Sequence, residues 1–106
     1  MDLKVLNITR AVTAAGTALP LVPGANTICT RIFLMAKKVT GDNTGNVFIG
    51  GAGVDKTSTQ LIEMEPGDYF EIQVPDGHSI DANDVYVDAA TSADGVVGFA
   101  LLKQKA

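Results

Sequence analysis

Turn chemistry recurs along this chain at short, regular intervals, and that spacing sets what it can fold into. Gly16, Pro20, Pro23-Gly24, Gly41-Asp42-Asn43, Gly50-Gly51, Pro66-Gly67, Pro75-Asp76-Gly77, Asp81 to Asp84 and Ala93-Asp94-Gly95 punctuate the sequence. Glycine supplies positive φ, proline presets φ near −65°, and Asp or Asn side chains bond their own backbone, so each marks a turn for a physical reason. Between the turns lie short runs rich in Val, Ile, Thr, Phe and Tyr. Such runs, separated by turns at roughly 8–12-residue intervals, are the pattern of a β-sandwich or barrel. No window carries an i, i+3, i+4, i+7 apolar stripe free of Gly and β-branched residues. Ala11 to Ala15 would support one helical turn, which Gly16 ends.

The expected strands are Leu3–Thr9, Ala18–Val22, Ile28–Val39, Asn46–Ile49, Thr59–Met64, Tyr69–Val74, Val85–Asp88 and Val96–Lys103. After Pro66-Gly67, Phe70, Ile72 and Val74 alternate with Tyr69, Glu71 and Gln73, so one face is apolar and the other is open to water or a partner. Ile32 to Met35 is apolar without a break, which predicts a central strand covered on both faces, the second at a subunit interface. Gly98 and Ala100 in the last strand predict close approach of another backbone. The fold class is therefore all-β: a single-domain β-sandwich, jelly-roll-like, of about eight short strands. Strand count alone also fits an immunoglobulin-like sandwich, without the Trp and Cys pair of antibody domains. Residues 1–16 are expected to form an N-terminal arm or edge strand, and residues 17–106 the sandwich. LVPGANTICTRI and EMEPGDYFEIQV look faintly alike, but a Pro-Gly turn before a strand recurs without duplication.

Charge and cysteine usage narrow the function. The net charge is −4, and the basic residues do not gather into the footprint that phosphate backbones require, so no nucleic acid is expected as a partner. Cys29 is the single cysteine, which excludes an intrachain disulfide and a CxxC metal site. It lies in an apolar run and reads as a small buried hydrophobe. No stretch reaches the roughly 18–20 apolar residues of a membrane span, so no membrane partner is expected. The N-terminus lacks a basic segment followed by an apolar one, so the chain is expected to be made in a cytoplasm and not exported by a conventional signal. Asn7-Ile8-Thr9 fits a glycosylation sequon, which has no use without secretion.

The candidate chemistry is thin. His78, the sole histidine, sits in the polar turn Asp76-Gly77-His78-Ser79 and reads as a solvated loop residue. A base needs a nucleophile and an orienting group, and adjacent Ser79 would face the other way on a strand. Asp81-Ala82-Asn83-Asp84 offers oxygen donors for calcium, but lacks the EF-hand glycine and distal glutamate and reads equally as a turn. Gly50-Gly51-Ala52-Gly53 precedes Lys56-Thr57, but the Walker spacing is wrong and strand-like sequence follows. A cupin-like metalloenzyme would need several histidines. No catalytic residues, metal site or cofactor are expected. Aromatics are 6% with no Trp, a poor platform for stacking sugars or bases.

Three pieces occur in order: Asn46-Val47-Phe48-Ile49-Gly50, then Leu61-Ile62-Glu63-Met64-Glu65-Pro66-Gly67-Asp68, then Asp84-Val85-Tyr86-Val87-Asp88-Ala89-Ala90, before the closing strand Val96 to Leu102. This order resembles small phage virion proteins, the capsid decoration (cement) proteins and related head-fibre bases. The resemblance covers residues 28–102 and consists of strand and turn residues. It implies a β-sandwich that sits on the assembled capsid and stabilises it. The major capsid protein would be the partner, the chain would form a homo-oligomer, often a trimer, and it would reside on the virion surface after synthesis in the host cytoplasm. The alternative function is a head-fibre or tail-associated binding module. Partner-binding candidates are Phe48, Tyr69, Tyr86 and the segment from Ala11 and Val12 to Ala18. Each also reads as ordinary core or cross-strand packing.

Overall fold

A computed structural model describes residues 3–23, 27–38, 40–54 and 62–103. Among these residues the strands are β1 (Leu3–Ala11), β2 (Leu19–Pro20), β3 (Ile28–Met35), β4 (Lys37–Lys38), β5 (Gly41–Asp42), β6 (Val47–Gly50), β7 (Ile62–Met64), β8 (Tyr69–Gln73), β9 (Ile80–Asp81), β10 (Tyr86–Ala89) and β11 (Gly95–Lys103). One short 3-10 turn covers Ala82–Asp84. One sheet runs β1-β11-β3-β8, with β9 extending along β3; a second runs β2-β10-β6-β7; β4 and β5 form a small outlying ribbon. All pairings are antiparallel.

The topology follows from setting aside the short β4, β5 and β9. Of the eight strands left, the first pairs with the last (β1 with β11) and the second with the seventh (β2 with β10). The third pairs with the sixth (β3 with β8) and the fourth with the fifth (β6 with β7). The chain is thus one long hairpin rolled up, closed by β11 on β3 and β10 on β6. That is a jelly roll, the two-sheet, eight-strand solution for an antiparallel chain.

Alternation puts one face of each strand inside. Ile8, Ile32, Leu34, Val96 and Ala100 of the first sheet meet Val47, Ile49, Met64, Val87 and Ala89 of the second. Each fully buried aliphatic side chain contributes roughly 1.5–3 kcal/mol. The first sheet is pinned at Gly98, where a Cβ would lie 1.8 Å from the carbonyl oxygen of Phe33. The expected close approach at Gly98 is therefore the β11–β3 pairing itself.

Several boundaries depart from the sequence reading. The run expected from Ile28 to Val39 breaks at Ala36, whose N–H donates to Asp68 and whose carbonyl accepts from Gly67. A turn from elsewhere in the chain has captured that residue, and β4 starts afresh. Val39 and residues 59–61 of the expected Thr59–Met64 strand lie outside the described residues. β5 and β9 were not expected, because Gly41-Asp42 and Ile80-Asp81 carry turn residues that become strand only through their partners. Among the described residues no second layer lies over the outer face of Ile32 to Met35: Ile32 and Leu34 point into the core, while Phe33 and Met35 are partly exposed on the sheet's outer surface. In the expected arm or edge strand, β1 is an edge strand along β11, and residues 12–17 are tied to residues 88–94.

Candidate functional site

The outer face of the first sheet is where this chain departs from an ordinary soluble surface. Register places Thr9, Val97, Met35 and Tyr69 in one row across the four strands, and Asn7, Phe99, Phe33 and Glu71 in the next. Val5, Leu101, Arg31 and Gln73 form the third. Aromatic rings form a continuous stack over this surface. Phe33 lies 5.7 Å from Tyr69 at 23°, and 5.7 Å from Phe99 at 19°. Such offset pairs contribute roughly 0.5–1.5 kcal/mol each beyond area burial. Tyr69 remains 70% exposed, Val5 62% and Phe99 37%. Of the exposed large hydrophobic residues among those described, only Ile28 lies away from these three rows.

The size of the face follows from strand geometry. Four strands at about 4.8 Å spacing and five residues at about 3.4 Å rise cover on the order of 300 Å². That footprint includes the polar positions Thr9, Asn7, Glu71, Arg31 and Gln73, so its apolar part is smaller than the largest patch of a typical monomer, and what distinguishes it is the ring stack. Face and border together are less than the roughly 800 Å² that one partner buries in a standard interface. Arg31 and Glu71 pair at 2.8 Å on the same face and supply a polar border. The backbone beneath is held by a central strand with partners on both sides, so the rings are presented rigidly.

The residues singled out from sequence distribute unevenly. Tyr69 lies at one end of the exposed stack, on the edge strand β8, with Phe33 in the middle. Ala11 is exposed at the end of β1. Tyr86 is half-buried in β10 opposite Gly50. Phe48 is 4% exposed and Val12 fully buried, so neither offers surface to a partner in this fold. Phe33 and Phe99 were missed because each sits in an apolar run that reads as core. The available signal was the strict alternation Val97, Phe99, Leu101 against small Gly98 and Ala100.

The other candidates resolve into local structure. Asp81 caps the 3-10 turn, its Oδ1 accepting from the N–H groups of Asn83 and Thr27, so the Asp81–Asp84 segment is held by a capping turn. His78 is exposed on the Pro75–His78 turn. Gly51 to Val54 closes a turn with Gly53 at φ 86°, while Lys56 and Thr57 lie outside the described residues. Cys29 is fully buried with its Sγ 3.4 Å from the carbonyl of Ile80. Burial first, then the charge of Asp81, pushes this thiol up and away from the thiolate. No group of three or more His, Cys, Asp or Glu among the described residues is placed to hold a metal ion. No helix among them is long and apolar enough to cross a membrane.

Buried polar groups mark a second region, where β1, β4 and the start of β11 meet. Asp94 is fully buried and accepts from the N–H groups of Thr44 and Gly45 at 3.0 and 2.7 Å, with Lys38 Nζ at 3.2 Å. Burial alone would raise this carboxyl; the two N–H donors and the Lys38 ammonium outweigh it and hold the carboxyl below its ordinary range. Among the described residues two buried side-chain atoms have no hydrogen-bond partner, Arg10 Nε and Asp88 Oδ2. Compared with protein-family models, with curated proteins and with solved structures, the chain gives no significant match in any of the three.

Proposed function

We propose that this protein is a virion component, a capsid decoration protein that binds the assembled shell and stabilises it. The observation that carries the binding half of this reading is the exposed Phe33–Tyr69–Phe99 stack on a rigid sheet face. Large planar side chains held still lose little entropy when covered, which is why aromatic residues concentrate at interfaces. The capsid half rests on the sequence resemblance over residues 28–102 and on the jelly-roll topology. Stabilisation would follow by mass action: a protein that binds the assembled shell and not free subunits shifts the equilibrium toward the shell. A homo-oligomer, a trimer by the same resemblance, would add avidity at a symmetry axis.

Co-sedimentation with undecorated shells tests the reading. The chain should pellet with shells, and Tyr69→Ser with Phe99→Ser should reduce binding at least tenfold. Failure to pellet with any candidate shell would count against it, and binding to isolated fibre or tail pieces instead would favour the head-fibre alternative. Light scattering on the free protein separately tests the trimer.

A further inference from the structure

A pocket of about 260 Å³ opens at the end of the sandwich, between β1, β4 and the start of β11. Its lining includes Thr9, Arg10, Lys37, Lys38 and Thr40. Three of the eight basic residues of an acidic chain meet there. They are not equivalent. Lys38 is paired with Asp94, whose oxygens are further occupied by the N–H groups of Thr44 and Gly45. Arg10 and Lys37 have no acidic partner among the described residues. Arg10 Nε is moreover buried with no hydrogen-bond acceptor among the described residues. A buried charged donor without an acceptor is costly, and proteins rarely keep one unless something else supplies the acceptor.

We propose that this pocket is an oxyanion site, binding a phosphate or carboxylate group through Arg10 and Lys37. The volume holds several water molecules and therefore one tetrahedral oxyanion. An oxyanion there would accept from Arg10 Nε, pair with the Lys37 ammonium and take a further donor from the Thr40 hydroxyl. With Lys38 neutralised by Asp94, two positive charges remain, which matches a phosphate dianion better than a carboxylate. The pocket lies at the end of the sheet and adjoins the aromatic face at Thr9, but its charged groups, Arg10 and Lys37, belong to none of the three rows of that face.

Amide NMR of the full chain, titrated with inorganic phosphate, with acetate and with chloride at matched ionic strength, tests this. Phosphate should give saturable shifts at residues 9–11, 37–38 and 93–96, bound at least fivefold tighter than acetate. Arg10→Gln and Lys37→Gln should each weaken it at least tenfold while leaving shifts elsewhere unchanged. Lys37 is exposed, so its variant carries the test if Arg10→Gln fails to fold. Acetate saturating as tightly as phosphate would assign the site to carboxylate groups. Shifts no larger than those with chloride, or undiminished affinity in the variants, would overturn the proposal.

Discussion

Asp94 ties two distant loops together, and its removal has a calculable signature. Its carboxylate takes N–H bonds from Thr44 and Gly45, which precede β6, while Val12 donates to its backbone carbonyl. Lys38, 31% exposed at its side chain, closes the set from outside. Asp94→Ala would leave two N–H donors without acceptors and an ammonium without its partner. A buried N–H donor left without its acceptor costs about 1–3 kcal/mol, and partly exposed Lys38 regains solvent, so the loss should be about 2–5 kcal/mol. A domain's whole stability is about 5–15 kcal/mol, so a large share would go. Asp94→Asn keeps one carbonyl acceptor and loses the charge, at a cost of about 2 kcal/mol. The pH dependence follows from the lowered carboxyl. A carboxyl depressed in the folded state contributes stability that is fully present above its unfolded value, near 3.9, and is lost as pH falls through the folded one. Urea unfolding of wild type and Asp94→Asn at pH 7 and at steps below pH 4 should therefore show a gap that narrows with acid. An Asp94→Ala cost below about 1 kcal/mol, or a gap that stays constant to pH 2, would refute the role given to this carboxylate.

Other perturbations test separate parts of the fold. Gly98→Ala places a methyl 1.8 Å from the Phe33 carbonyl oxygen and must force β11 from β3, so soluble, folded protein should be lost, as read by circular dichroism. Cys29 should react with a thiol reagent only after unfolding in denaturant; fast labelling of the native chain would contradict its burial. Tyr69→Ser should shift the urea midpoint by no more than about 1 kcal/mol equivalent, because most of the ring is already exposed. A larger loss would mean that the aromatic stack serves stability first.

How much of this was legible before the structure depended on whether local chemistry or distant partners decided each element. Eight strands were readable because turn residues and β-branched runs alternate along the sequence. Their pairing was not, since the β1–β11 ladder joins the two ends of the chain. The small strands at Gly41-Asp42 and Ile80-Asp81 exist only through pairing, and the break at Ala36 only through Gly67 and Asp68. At the site, Tyr69 stood out because it alternates with apolar Phe70 and Ile72. Phe33 was hidden in an unbroken apolar run, where periodicity cannot say which side faces out. Phe48, in the run Val47-Phe48-Ile49, was misplaced as surface for the same reason, and Val12, a lone apolar residue beside a turn, carries no signal of which way it points. Asp94 read as a turn residue; its burial depends on donors about fifty positions away in sequence.

The allocation of aromatic residues argues most directly about purpose. The chain has six, four Phe and two Tyr, and the largest fully buried side chains are aliphatic or aspartate. A chain selected only for stability would place its scarce large rings where burial stabilises most, inside. Here three of the six stack on the outer face, where Tyr69 is 70% and Phe99 37% exposed and Phe33 is partly buried. Small residues at the inner positions of β11, Gly98 and Ala100, bring the strands together while Val97, Phe99 and Leu101 of the same strand point outward. Midway along, this strand is thus thin toward the core and bulky toward solvent, while Val96 and Leu102 nearer its ends still pack inward. That inversion is stable at no great cost in a two-layer fold, because β6, β7 and β10 already supply the core. It makes sense when a third layer, from outside the chain, completes the packing.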